Sequence, residues 1–392
     1  MAKLSKLAQR VEFSKVRKMF DEAAKLDDVV SFALGEPDFT TPDNIIAAAN
    51  QALAVGETHY TANSGIVALR EAIAKRLRRD DRVDYNPSSE IIVTTGGVEA
   101  LILAMMVILD PGDEVIVTDP CWPNHPGQVK MCGAIPVFVP VLEEDGFVYN
   151  LTQLRAAITP KTKAILLNSP ANPTGSVATY DDLAGIAKLA VEHDLFVISD
   201  EVYRYFTYDG AAFFSISSFP GMKERTLIVD SFSKSYAMTG WRVGYVAAPA
   251  EFVAYMSNLQ EHVCSCVNTP AQYGAIEALE GPQDSLEKMI RKYAERRELI
   301  VTGINAIEGL SCRMPKGAFY AFINLTASGL SSDEFTRRLM LEEGVVIVPG
   351  TGFGEAGEGF ARISYATSEE NIREGLRRIE HFMAKLRQEQ GQ

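Results

Sequence analysis

Cysteine, histidine and positive charge are all scarce in this 392-residue sequence, and each shortage argues against a class of protein. The five cysteines are an odd number without a Cys-x-x-Cys pair, which is typical of reduced thiols in a cytosol. The five histidines are scattered and lack the spacing of metal ligands. We therefore expect a cytoplasmic protein with no structural metal.

Basic side chains number 38 against 51 acidic ones, which gives a formal net charge of -13. Nucleic acids and anionic membranes both bind clustered lysine and arginine, so neither is an expected partner. The longest apolar run, residues 100–109, is too short to span a bilayer. The basic N-terminus has no apolar core or cleavage site, and we expect no signal peptide.

From about residue 90, short apolar runs such as EVIVT, KAILLNS, LFVISD and TLIVDS alternate with longer helical patterns. Continuous apolar strands with helices between them predict an α/β fold, with a mostly parallel sheet covered on both faces. After about residue 281, a long charged helix and later strands predict a smaller α+β domain. The expected units are an N-terminal segment 1–45 that packs on the small domain, a large domain 46–284 and a small domain 285–392.

The stretch SFSKSYAMTGWRVGY, residues 231–245, gathers the donors that a phosphate dianion needs. Ser231, Ser233 and Arg242 offer two hydroxyls and a planar, always charged guanidinium. Lys234 is then surplus unless it does something other than neutralise charge. A solvated basic loop is the alternative for this segment taken alone.

Two glycine-rich segments resemble phosphate-binding loops, and the residues around them lead to different expectations for each. In TTGGVEAL a strand passes through Gly97 into a helix, whose free amides would face a nearby anion. A plain strand-to-helix turn is the alternative here. GTGFGEAG matches the dinucleotide pattern G-x-G-x-x-G, but it runs into another strand instead of a helix, so we expect no nucleotide site there.

Three further segments carry polar residues where ligands often bind, and each segment has a structural alternative. Asp200 ends the apolar strand LFVISD and is either a helix N-cap or the partner of a buried cation. Tyr203 would share its face if a helical turn begins there. The turn NSPANPTG follows KAILL, although Asn-Pro-x-Gly is a common turn. Arg362 in FARISYA either points outward or binds a carboxylate.

Taken together and in this order, these segments resemble the class I/II aminotransferases, fold type I enzymes that use pyridoxal 5'-phosphate. The resemblance runs from ALGEPDFTTP and THYTANSGIVALREAIA to GVVIVPGTGFG and RISYATS, nearly the whole chain. NPTG, SDEVY and SFSKSYAMTGWRVGY are its most specific motifs, and in detail they are most similar to the microbial aspartate and aromatic amino acid aminotransferases. The resemblance implies a mostly parallel seven-stranded sheet between helices in the large cofactor-binding domain.

The resemblance also implies a role for each candidate residue. Lys234 would bond the cofactor aldehyde as a Schiff base and, once displaced by substrate, carry a proton between the substrate Cα and the cofactor. Asp200 would keep the pyridine nitrogen protonated. Other cofactor contacts would come from Gly97, Val98, Ser231, Ser233 and Arg242 at the phosphate, from Asn172 and the catalytic Tyr203 at the ring oxygen, and from Trp122 on the ring face. Gly35, Asn172 and Arg362 would bind the substrate α-carboxylate.

By the same resemblance, Tyr60 reaches the cofactor phosphate of a neighbouring subunit, which implies a homodimer with shared active sites. The expected reaction moves an amino group from an L-amino acid to a 2-oxo acid such as 2-oxoglutarate with ping-pong kinetics. A β-lyase acting on cysteine conjugates is one alternative on the same scaffold. A non-catalytic regulator is another, although the chain is acidic and has no room for a DNA-binding domain.

Val98 departs from one bacterial aspartate aminotransferase subgroup, in which a lysine at this position pairs with the distal carboxylate of aspartate. The departure predicts a broad enzyme that takes aromatic or other neutral donors as well as acidic ones. A hydroxyl in residues 60–63 or a cation in the N-terminal segment is a candidate substitute for that lysine. An aspartate-specific aminotransferase is the alternative.

Overall fold

The computed structural model describes residues 4–11 and 28–391, together with Met19, Glu22 and Leu26. Its α-helices span Lys6–Arg10, Asp43–Ala54, Val67–Asp81, Gly97–Ile108, Asn124–Met131, Leu151–Ala157, Tyr180–Glu192, Phe232–Ser235, Ala250–Val263, Thr269–Glu280, Asp284–Ala306, Ser332–Glu343 and Glu369–Glu389. Its strands are β1 (Val30–Ser31), β2 (Ile91–Thr94), β3 (Glu114–Asp119), β4 (Ile135–Pro140), β5 (Thr162–Asn168), β6 (Phe196–Asp200), β7 (Thr226–Ser231), β8 (Gly244–Ala247), β9 (Ser311–Cys312), β10 (Tyr320–Asn324), β11 (Val345–Val346), β12 (Val348–Pro349) and β13 (Phe360–Ser364). None of the helices that the structure describes combines the length and apolarity needed to cross a bilayer.

The large sheet has seven strands in the order β2-β8-β7-β6-β5-β3-β4. Its neighbouring strands are parallel except at β8, which runs antiparallel to both β2 and β7. Its central strands are apolar on both faces because helices cover both: Ile198 packs in one core with Leu101, and its neighbour Val197 packs in another with Ile186. The predicted α/β class with a mostly parallel seven-stranded sheet is confirmed.

A smaller antiparallel sheet, in the order β12-β13-β10-β9, follows later in the chain. The helices Asp284–Ala306, Ser332–Glu343 and Glu369–Glu389 contribute Ile300, Phe335 and Phe382 to the buried core on this side of the molecule. β1 pairs in parallel with β11, so the chain just before residue 33 runs beside this part of the molecule. The domain boundaries at residues 45 and 284 stay a prediction.

The sheet brings several polar residues to one edge because its parallel strands all end there. Asn168, Asp200 and Ser231 are the last residues of β5, β6 and β7. β8 runs the other way, so Arg242, two residues before it begins, lies at the same edge. Ligands of open α/β sheets bind at this carboxyl edge of the strands.

Candidate active site

A cavity of about 360 Å³ opens at this edge of the large sheet. The candidate residues that line it are Gly35, Gly97, Val98, Trp122, Asn172, Asp200, Tyr203, Ser231, Ser233, Lys234, Arg242 and Arg362. Tyr60 does not line this cavity and is 89% exposed. Its expected target belongs to a neighbouring subunit, so its role stays a prediction.

One end of the cavity is built for an anion. The guanidinium of Arg242 is fixed by donating to the backbone oxygens of Thr239 at 2.9 Å and Thr95 at 3.2 Å. Gly96 has φ +80 and the Arg242 guanidinium lies where its Cβ would be, so only glycine fits between this side chain and the helix that starts at Gly97. With the hydroxyls of Ser231 and Ser233 and the amides at the helix start, these donors suit a phosphate dianion.

Asp200 supplies a buried carboxylate to the cavity. It is 3% exposed, and its Oδ2 lies 2.9 Å from Nε2 of His125. Residues 202–205 form a turn rather than an α-helix, so the helix N-cap interpretation of Asp200 is wrong. The helical turn considered for Tyr203 is likewise absent from these described residues, although Tyr203 still lines the cavity. A buried carboxylate favours a cationic partner such as a protonated ring nitrogen.

Lys234 carries the amine of the cavity. Its Nζ donates to the backbone oxygen of Gly35 at 2.5 Å. Burial lowers the pKa of Lys234 to about 8, an effect that Glu36 opposes and that the guanidiniums of Arg362 and Arg242 reinforce. A lysine with such a lowered pKa is partly neutral at physiological pH and can act as a nucleophile or a base.

Arg362 occupies the other side of the cavity and is only 3% exposed, so the outward-pointing alternative is wrong. It donates to Oδ1 of Asn172 at 3.0 Å and to the backbone oxygen of Ala33 at 2.6 Å. Its guanidinium lies over the rings of Tyr320 and Phe353, 4.6 and 4.8 Å from their centroids. The guanidinium of Arg362 is therefore held rigidly and can bind a carboxylate through two parallel hydrogen bonds.

Two residues of this site were not predicted from the sequence. The hydroxyl of Tyr320 lies 2.7 Å from that of Tyr203, and burial raises the pKa of both phenols. Tyr320 lies in an apolar strand, where an aromatic residue of the active site cannot be distinguished by sequence from an aromatic residue of the core. The only signal for His125 was its place three residues after Trp122, whose ring it meets edge to face at 5.3 Å.

The donor set fits pyridoxal 5'-phosphate group by group. The cradle of Arg242 and the two serines suits its phosphate, the amine of Lys234 suits its aldehyde, and the carboxylate of Asp200 suits its pyridine nitrogen. Arg362 then remains for the carboxylate of an amino acid. Such a site favours chemistry at the Cα of an amino acid.

The model of the family described as aminotransferase class I and II matches residues 27–379. The chain belongs to the class I and II aminotransferases. It is 44% identical to an aspartate aminotransferase of Pyrococcus abyssi over 94% of this chain and 95% of that protein. It is 43% identical to aromatic-amino-acid aminotransferase 2 of Thermococcus litoralis, over 97% and 98% of the two chains.

Solved structures give the same result for the fold of this aminotransferase. An aspartate aminotransferase from Thermus thermophilus with maleate superposes with a TM-score of 0.93 at 40% identity, over 97% of this chain and all of that one. An aromatic aminotransferase from Pyrococcus horikoshii OT3 superposes with a TM-score of 0.90 at 42% identity, over 94% and 99%. The predicted family and transaminase activity are confirmed, while the relatives differ in their named substrates.

Proposed function

We propose that this aminotransferase binds pyridoxal 5'-phosphate in the cavity and moves an amino group from an L-amino acid to a 2-oxo acid such as 2-oxoglutarate, with ping-pong kinetics. The observation that carries the proposal is the place of Lys234, a half-buried amine with a lowered pKa between an anion cradle and the guanidinium of Arg362. When bound, the cofactor supplies an electron sink for charge that develops at the substrate Cα.

The residues of the chain divide the work by position. Ser231, Ser233, Arg242 and the amides of Gly97 and Val98 bind the phosphate. Asp200 keeps a proton on the pyridine nitrogen, Asn172 and Tyr203 bind the ring oxygen, and Trp122 covers a ring face. Gly35, Asn172 and Arg362 bind the α-carboxylate and so orient the Cα–H bond, and the amine of Lys234 accepts its proton.

The cavity offers little to hold a second carboxylate of the substrate. Among its described lining residues, the basic ones are Lys234, Arg242 and Arg362, which the cofactor and the α-carboxylate already engage. Val98 supplies no charge, and Glu36 adds a negative one. The N-terminal cations considered above, such as those at residues 15, 17 and 18, lie outside the described residues. An unpaired buried carboxylate costs about 2–5 kcal/mol, so a strict preference for aspartate should be weakened by about one to three orders of magnitude.

A donor series tests this specificity. We expect kcat/KM for aspartate to exceed that for glutamate, phenylalanine, tyrosine and alanine by less than about a hundredfold, each measured at one pH as the half-reaction of the donor with the holoenzyme. Val98→Lys should shift the ratio toward aspartate by about tenfold or more. Val98→Met, similar in length but uncharged, is the matched control and should not. A larger aspartate preference over every neutral donor would contradict the proposal and favour the aspartate-specific alternative.

The proposal extends to a homodimer with shared active sites in the cytoplasm. The segment that carries Tyr60 lies beside the helix Ala250–Val263, since Asn63 donates to Glu261 at 3.2 Å. The same helix carries the exposed apolar side chains Tyr255 and Val263, both 60% exposed. Exposed apolar groups of this kind support an interface.

All five cysteines are free, which supports the proposed location in a reducing compartment such as the cytoplasm.

A further inference from the structure

Five charged side chains are buried next to the sheet edge that carries the cavity, without lining it. We call them the ionic cluster: Arg76, Asp81, Glu201, Arg204 and Asp230, each at most 8% exposed. Arg76 lies 2.9 Å from Asp230, and Arg204 lies 3.1 Å from Glu201 and also pairs with Asp81. The cluster joins the helix Val67–Asp81 to the ends of β6 and β7.

Two members of the ionic cluster are chain neighbours of cavity residues. Glu201 follows Asp200, and Asp230 precedes Ser231, so consecutive side chains face the cluster and the cavity in turn. Asp230 accepts the backbone N–H of Ser231 through Oδ1 at 2.6 Å, while its Oδ2 accepts from Tyr245 at 3.0 Å. A rearrangement of the cluster therefore moves the backbone that positions Asp200 and Ser231.

The charges of the ionic cluster do not balance when every member is ionised. Two guanidiniums face three carboxylates, and an unpaired buried charge is costly. Burial raises the pKa of Glu201 to about 8, with Arg204 opposing and Asp81 reinforcing the effect. The proton is thus held below about pH 8 and lost as the pH rises through that value, where an excess negative charge appears.

The groups that face Glu201 come from every element packed around it. They are Asp81 on the helix Val67–Asp81, Tyr85 beyond that helix, Ser199 on β6, Arg204 on the turn after β6, Ser215, and Asp230 on β7. Arg76 on the same helix lies behind them, beside Asp230 and Arg204. The hydroxyls of Ser199 and Ser215 lie 2.9 and 2.7 Å from Oε1 of Glu201. The cations in and behind this set are the two guanidiniums already counted.

We propose that the ionic cluster is a pH-sensitive support of the cofactor site, in which protonated Glu201 is a positioning residue for Asp200 and Ser231. The proposal rests on the proposed function, because the positions of these two residues matter for the cofactor they bind. Ionisation of Glu201 leaves the cluster with excess negative charge, and its relaxation shifts the ends of β6 and β7. Cofactor affinity then falls as Glu201 loses its proton.

The test compares the cofactor dissociation constant of the holoenzyme with that of Glu201→Gln, by equilibrium dialysis at several pH values. Glutamine keeps the shape of the protonated side chain and cannot ionise. Because Lys234 titrates in the same range in both proteins, the ratio of the two constants isolates Glu201. We expect the wild-type constant to match that of the variant near pH 7 and to exceed it by about tenfold near pH 9.

The matched control is Glu192→Gln, which removes an exposed carboxylate paired with Arg155 at 2.9 Å. This control should follow the wild type at every pH. A ratio between wild type and Glu201→Gln that does not change with pH would overturn the inference. If the wild type nevertheless transaminates, the proposed function survives, whereas a wild type that binds no cofactor would overturn both.

A second measurement keeps the inference testable if Glu201→Gln does not fold. The infrared spectrum of the wild-type holoenzyme should contain a carboxylic acid C=O band near neutral pH that disappears as the pH rises through about 8. An unchanged carboxylic acid region over this range would overturn the inference. Loss of the band together with weaker cofactor binding would support it.

Discussion

The amine of Lys234 lies among charges of both signs, and their balance sets its protonation. Burial disfavours the ammonium form, the carboxylate of Glu36 favours it, and the guanidiniums of Arg362 and Arg242 disfavour it again. A lysine in water stays charged at neutral pH, whereas the pKa of about 8 leaves a fraction of the Lys234 amine neutral there. The cavity thus prepares the amine both for a bond to an aldehyde and for proton transfer.

Asp200→Asn removes the charge of the cavity carboxylate while keeping its size and a hydrogen bond toward His125. We expect kcat to fall by about two orders of magnitude or more, because a neutral amide does not hold a proton on the pyridine nitrogen. The melting temperature of the apoprotein should change little. Asp209→Asn, at an exposed carboxylate paired with Arg297 at 2.7 Å, is the control and should keep wild-type turnover. Near-normal kcat in Asp200→Asn would favour a structural role.

The residues predicted from the sequence are those whose type is unusual for their surroundings. Lys234 and Arg362 stand in otherwise apolar or small-residue segments, and such a charge has to be explained by a partner. Tyr320 was missed because an aromatic residue in an apolar strand is indistinguishable from core. His125 was missed because its contact with Asp200 spans 75 positions of sequence and exists only in the folded chain.

Among the secondary-structure elements, β8 shows that a local sequence pattern can predict a strand without predicting its direction in the sheet. β8 lies within the run RVGYVAA, whose apolar residues are typical of a strand, but its antiparallel direction does not follow from that pattern. Direction depends on the connection, and the short link from β7 contains no long crossover helix, which a parallel neighbour would need. The helix Asp284–Ala306 was predicted closely because its amphipathic period repeats over six turns.

Gly244→Ala tests how β8 supports the anion cradle. A Cβ at this position would lie 2.6 Å from the carbonyl carbon of Gly96 and 2.7 Å from the nitrogen of Gly97, so the strand has to move away from the cradle. We expect the cofactor dissociation constant, measured by dialysis, to rise by about tenfold or more. Gly240→Ala, in the same segment, meets no atom within 4 Å and should bind normally. Unchanged affinity in Gly244→Ala would contradict this account of the cradle.

At the scale of the whole molecule, the proposed homodimer makes each active site depend on two chains. Sedimentation should give about twice the 43.0 kDa of one chain. Tyr60→Phe should leave the dimer intact and weaken cofactor binding by about tenfold, through loss of one hydrogen bond to a charged group. Tyr180→Phe, at an exposed tyrosine of the helix Tyr180–Glu192 and away from the proposed interface, is the control. A fully active monomer, or normal affinity in Tyr60→Phe, would contradict the shared site.

The central claim is that Lys234 holds the cofactor covalently in the cavity at the edge of the large sheet. Reduction of the holoenzyme with borohydride, followed by peptide mapping, tests it most directly. We expect the cofactor label on Lys234 alone, and we expect Lys234→Ala to bind the cofactor through its phosphate without label or amino transfer. A label on any other lysine, or amino transfer by Lys234→Ala at the wild-type rate, would contradict the account.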